Sequence, residues 1–304
     1  MKLFIIGNGF DLAHGLPTKY WDFRKYLEKV DPEFIASFEG HYDIYPNIPE
    51  NEKINLFWNN FEANLANIDE DNIISNAVSI EMGLESGDIG IMDTLYMYFG
   101  DEYGYIKLLA QYLKKWIETI NINEIKPKTK FIQKDYNALY ITFNYTTVLE
   151  NIYKINEKEI IHIHGSVREQ DDEPILGHGN EVRINKIRKE LAESEKIFDE
   201  KMMSICKVLS DYYAETHKNV KKYMYKLNYL INKDIDEIIV IGHSISGVDM
   251  PYFKFIEAIT QSSAKWSVYY HDFKEKERII ASLKSVGVDD SRITMMKSID
   301  FFNV

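Results

Sequence analysis

Apolar positions along this chain gather in short runs separated by long stretches of helical spacing. The runs occupy residues 2–6, 138–143, 159–164, 237–241, 267–271 and 292–296, each bounded by polar or turn-forming residues. Such runs predict strands. Their order with the intervening amphipathic stretches predicts an α/β fold with a mostly parallel sheet flanked by helices, a Rossmann-like arrangement. The pattern is clearest near the end. "EIIVIGHSIS", "DMPYFKFIEAIT" and "KWSVYYH" read as strand, helix and strand, and "EKERIIASLKSVG" as the next helix.

Two segments interrupt this alternation, at about 20–134 and about 181–233. The first is rich in aromatic residues. Within its "WNNFEANLANI", Trp58, Phe61 and Leu65 stand at helical spacing on one face. The second is charged and amphipathic and reads as a helical pair or a lid. There is no internal repeat or low-complexity tract, so the chain reads as one α/β domain carrying helical insertions.

Composition narrows the function. The chain has 304 residues, 45% hydrophobic and 28% charged, enough for a substantial core. Its formal net charge of -12 repels phosphate backbones, so extended nucleic-acid binding is not expected. A small anionic ligand held by local backbone N–H groups remains compatible with that charge. The single cysteine, Cys206, excludes an intrachain disulfide and a zinc ribbon of paired cysteines; a packed thiol is expected. The start of the chain lacks a signal-peptide pattern, and no run approaches the roughly 18 apolar residues of a membrane span. A cytoplasmic protein without membrane contact is the expectation.

Candidate chemistry collects where strands end. The first run leads into Gly7-Asn8-Gly9, and Gly15 follows six residues later. Two glycines after a strand fit either a tight turn or a phosphate-binding turn. The second run leads into Asn144-Tyr145-Thr146, the third into Gly165-Ser166 after His164, and the fourth into Gly242-His243-Ser244. In a parallel sheet these ends share one edge, where ligands bind. Asp11 fits either a helix cap or a ribose contact. Asp249, ahead of Pro251, reads as a helix start. His162 reads as structural. A metal site built from His162, His164, His178, His243, Asp11 and Asp249 is the alternative, with the two strand histidines on the same side.

The motifs "LFIIGNGFDLAHGLPTKYWDF", "FNYTTVLE", "HIHGSV", "ILGHGN" and "IGHSISGVD" closely resemble, in this order, those of the AbiH family of bacterial phage abortive-infection proteins. More distantly the layout resembles the sirtuin-type NAD-binding fold. That resemblance implies NAD as substrate, no metal, and hydrolysis at the nicotinamide–ribose bond. It implies Asn144 as the group orienting ribose and water and His164 as general base. It implies ligand contacts from Gly7, Asn8, Gly9, Phe10, Asp11, Pro17, Thr146, Gly165, Gly242, His243 and Ser244. Two features depart from it. The four cysteines of the sirtuin zinc ribbon are absent, and Thr146 stands where related defence proteins carry Asp. The family resemblance also implies a phage-derived trigger or a partner defence protein, and a homo-oligomer is expected. A metal-dependent phosphoesterase or nuclease and a non-enzymatic nucleotide sensor are the alternatives.

Overall fold

A computed structural model describes residues 1–71, 74–75, 105–132, 137–168, 170–260 and 263–302. Six strands form one sheet: β1 (Lys2–Ile6), β2 (Ala138–Thr142), β3 (Ile160–His162), β4 (Glu237–Ile241), β5 (Lys265–Tyr270) and β6 (Ile293–Lys297). Their order across the sheet is β3-β2-β1-β4-β5-β6, and every neighbouring pair is parallel. This is the strand order of a doubly wound, Rossmann-like α/β fold, as the alternation of apolar runs and helices predicts. The third run is shorter than expected and stops at His162. Beyond it the Lys226 ammonium takes over the strand-end carbonyls, donating to His162 O at 2.8 Å.

The strands are apolar on both sides because both faces are covered. Leu3 and Ile5 of β1 join one core with Leu139, Ile141, Val240, Trp266 and the Tyr252–Phe253–Ile256 face of the helix Met250–Ile259. Phe4 and Ile6 point the other way, into a core with Phe10, Tyr140, Leu149, Tyr153 and Phe301. Alternate residues therefore serve opposite layers, as the strand period of two requires.

The register sets the site. Ile6 pairs with Thr142 on one side and with Ile241 on the other, and Thr142 pairs with His162. Four strands thus end level. The residues just after them lie along one rim, and β1, between β2 and β4, marks the point where the chain's course across the sheet reverses.

The chain divides into two compact units. The first comprises Met1–Asp22, Leu113–Ile175 and Asn219–Val304 and holds the whole sheet; the second comprises Phe23–Tyr112 and Leu176–Lys218. Within the second unit, Trp58, Phe61 and Leu65 are all buried, although a 3-10 turn at Trp58–Asn60 precedes the short helix Phe61–Asn64. Trp58 and Phe61 stack with ring centroids 4.9 Å apart. Arg24 meets buried Glu39 through two hydrogen bonds, 2.9 and 3.1 Å, and Lys53 and Trp58 bond the same carboxylate. These bonds outweigh burial and hold Glu39 below the usual carboxylate range. Helices Glu181–Ile197 and Glu200–Thr216 pair in this unit. Among the described residues no helix is long and apolar enough to cross a membrane.

Candidate functional site

Three glycines bring β1 and β4 into contact at the rim. A Cβ on Gly7 would lie 2.5 Å from Gly242 O, and one on Gly9 would lie 2.7 Å from Gly242 Cα. Gly242 itself has φ +71°, and a Cβ there would fall 2.4 Å from Phe10 N. No larger residue fits this approach of two backbones. Two donors of the turn are spent inside this contact: Gly9 N–H bonds Gly242 O at 2.9 Å, and Phe10 N–H bonds Gly7 O at 2.9 Å. Close packing of β1 against β4 thus accounts for the glycines of this stretch.

Asp11 follows in the short helix Asn8–Ala13, which has Gly7 at its N-cap and no side-chain cap bond. Its carboxylate neither caps the helix nor meets solvent. Oδ1 accepts from Asn144 Nδ2 at 2.8 Å, and Oδ2 accepts from Thr146 Oγ1 at 2.6 Å. Asn144 Nδ2 also donates to Gly7 O at 3.2 Å. Two acceptors on that side fix the amide orientation, nitrogen toward Asp11. Asn144 Oδ1 consequently points away, buried and, among the described residues, without a hydrogen-bond partner. Burial raises the Asp11 pKa to about 6 against the opposing pull of the Thr146 and Asn144 bonds.

The backbone of Asn144 is held as firmly. Its N–H donates to Thr142 Oγ1 at 3.1 Å, and its carbonyl meets His162 Nδ1 at 3.2 Å. The other ring nitrogen of His162 lies 2.7 Å from Glu150 Oε1. Arg168 Nη1 is 3.3 Å from the same oxygen, and its Nε and Nη2 both reach Asp171 at 2.8 Å. Burial opposes the Asp171 charge, but the bonds from Arg168 and Ser166 win and keep its pKa low. His162 is thus one link in a chain of polar contacts that supports Asn144.

His164 goes elsewhere. Its Nε2 lies 3.1 Å from Asp249 Oδ1, an electrostatic contact rather than an aligned hydrogen bond. Asp249 Oδ2 lies 3.4 Å from Nε2 of His243. The Phe143 ring walls this cluster, with centroids 5.0 Å from His164 and 4.2 Å from His243. The expectation that His162 and His164 share one side does not hold, because β3 ends at His162 and strand alternation does not carry to His164. The two rings serve different carboxylates. Asp249 does stand at the N-cap of the helix Met250–Ile259, but without a side-chain cap bond.

The rim therefore brings together Gly7, Gly9, Asp11, Asn144, Thr146, His164, Gly242 and His243. Asn8 is exposed, its side chain bonded to Thr18 O at 2.9 Å. Pro17 and Ser244 are exposed, Ser244 Oγ bonded to Ser246 Oγ at 2.9 Å. The Phe10 side chain is fully buried in the core beside His14 and Tyr153. Gly165, at φ +78°, lies where a Cβ would strike the Asp172 and Glu173 carbonyls. His178 and Cys206 belong to the second unit, the latter a buried thiol. Among the described residues no three His, Cys, Asp or Glu side chains are grouped to hold a metal ion. Sequence reasoning passed over Glu150, Arg168 and Asp171. The charged positions in "VLEN" and "SVREQDD" were visible, but nothing local linked them to one another or to a histidine.

Comparison with known proteins agrees with the ordered motifs. A search of curated proteins finds no match to this sequence. The family model described as bacteriophage abortive infection AbiH matches residues 3–270, which takes in all of these rim residues. The chain belongs to the AbiH family, and with that membership comes a role in phage abortive infection.

Proposed function

We propose that the rim site binds NAD and hydrolyses its nicotinamide–ribose bond, so that infection ends in NAD depletion. One observation carries the reading: among the described residues Asn144 Oδ1 is a buried acceptor without a partner, held in place by an amide nitrogen tied to Asp11 and Gly7. A buried acceptor in that state costs about 1–3 kcal/mol, a cost that a ligand hydroxyl or a positioned water offsets. It stands at the carboxyl rim beside β1, where doubly wound sheets bind nucleotides.

The chemistry suits these groups. The nicotinamide of NAD leaves with the electron pair of the C–N bond and becomes neutral, so no acid is needed. The ribosyl carbon passes through an oxocarbenium-like state. Asn144 Oδ1 accepts from a ribose hydroxyl or from the attacking water and orients it. His164 takes the water proton, and the Asp249 carboxylate stabilises the imidazolium that forms. The products are nicotinamide, ADP-ribose and a proton.

The test follows nicotinamide release by chromatography from purified protein and, in parallel, cellular NAD after phage infection. Wild type consumes NAD, and Asn144→Ala and His164→Ala each lower the rate by about 100-fold or more. NAD that stays intact in infected cells protected by the folded wild-type protein overturns the reading.

A further inference from the structure

His162 faces an oxygen at each of its ring nitrogens. Nδ1 lies 3.2 Å from the Asn144 carbonyl oxygen, and Nε2 lies 2.7 Å from Glu150 Oε1. A carbonyl oxygen only accepts. Glu150 Oε1 also stands at ion-pair distance, 3.3 Å, from Arg168 Nη1, and beside a guanidinium it serves as an acceptor too. A neutral imidazole has one N–H and one lone pair. On either tautomer the lone pair would point at an oxygen. Only a ring protonated on both nitrogens satisfies both contacts.

Burial makes the choice matter. The side chains of His162 and Glu150 are 1% and 6% exposed. A buried carboxylate needs a charged, hydrogen-bonded partner, and an imidazolium at 2.7 Å supplies one. The further acids around it are Asp11 and Asp171; burial weighs most on both, and a charged His162 favours their ionised forms. Lys226 holds the same residue from the backbone, donating to the His162 carbonyl. Asn144 is then fixed at three points. Its N–H bonds Thr142 Oγ1, its carbonyl accepts from His162 Nδ1, and its amide nitrogen donates to Asp11 and Gly7.

We infer that His162 is a positioning residue for this site: an imidazolium paired with Glu150, whose Nδ1–H grips the Asn144 carbonyl and so sets where Oδ1 stands. The inference rests on the reading of Asn144 as the group that meets the ligand, but the ring protons test it separately from NAD chemistry. Full-length protein with 15N-labelled histidine gives long-range proton–nitrogen spectra, in which His162→Phe assigns the ring. At pH 7.5 the wild type is expected to show both His162 nitrogens protonated. In Glu150→Gln, whose amide can donate to Nε2, the ring is expected to keep its proton on Nδ1 and lose the other. For NAD hydrolysis, His162→Phe lowers kcat by about 100-fold, and Glu150→Gln, in which the Nδ1 bond survives, lowers it less. A neutral His162 ring in the wild type overturns the inference, with no need for a variant to fold. So does a folded His162→Phe protein with the kcat of the wild type. Should the wild type leave NAD intact, the NAD reading alone falls, and the Asn144 side-chain amide protons report the positioning. They are expected to exchange with solvent about 10-fold faster in His162→Phe, and unchanged exchange overturns the inference.

Discussion

Replacing Asp11 with asparagine isolates the energetic cost of this site. The Asp11 side chain is 1% exposed, and its pKa stands at about 6 in the folded protein against 3.8 for the free side chain. Between those pH values the folded state holds a proton that the unfolded chain has released. Stability therefore falls as pH rises through this window, by roughly 3 kcal/mol at 1.36 kcal/mol per pH unit. Above it the carboxylate is ionised and the full cost is present. Asparagine keeps the shape, keeps an acceptor for Asn144 Nδ2 and offers Thr146 a donor in place of an acceptor, which a hydroxyl can accommodate by rotation. Asp11→Asn is therefore expected to be the more stable protein at pH 8, by up to that amount, with the advantage gone near pH 4. Thermal unfolding of both proteins across pH 4–8 reads this as a difference of several degrees that closes on acidification. A difference that does not vary with pH, or a variant less stable at pH 8, refutes burial of a charged Asp11. Activity should drop in the same variant, since residues that serve a site are often held at the expense of stability.

Gly242→Ala and Gly247→Ala share a left-handed backbone, φ +71° and +67°, but only the first meets neighbouring atoms. The second should cost about 1 kcal/mol in chemical denaturation, and the first several times more or loss of soluble protein. In the second unit, Glu39→Ala leaves Arg24 and Lys53 buried without their shared carboxylate, and a loss of about 3–5 kcal/mol is expected. His178 titrates with the opposite sign to Asp11. Burial, with His217 and Arg183 nearby, lowers its pKa from 6.5 to about 4. Its stability contribution is complete above pH 6.5 and is lost as pH falls toward 4, by about 3 kcal/mol. His178→Gln should flatten that acid limb, and an unchanged limb counts against it.

Much of the fold was legible in advance, and particular residues show why. Leu3 to Ile6 are apolar without a break because both sheet faces are covered, and that signature is local. The strand ends at Gly7, Asn144 and Gly242 could be read as one rim because parallel strands point the same way. Asp11 had two local readings, cap or ribose contact, and its bonds are to Asn144 and Thr146, more than 130 positions away in the chain. Asp249 reads as a helix start from Pro251, and it does occupy that position. Its carboxylate was recruited by two histidines that its own neighbourhood does not announce.

By itself the sequence determined the class of fold, the order of its strands along the chain, the small and polar residues that end them, and the family. These depend on periodicity and short motifs, which arise within a few consecutive residues. Only the tertiary structure decided the order of strands across the sheet, the level register of Ile6, Thr142, His162 and Ile241, and the assignment of each histidine to its carboxylate. Those outcomes depend on which distant backbones can approach closely enough to bond and on which charges must be neutralised once water is excluded, and neither condition exists until the chain has folded.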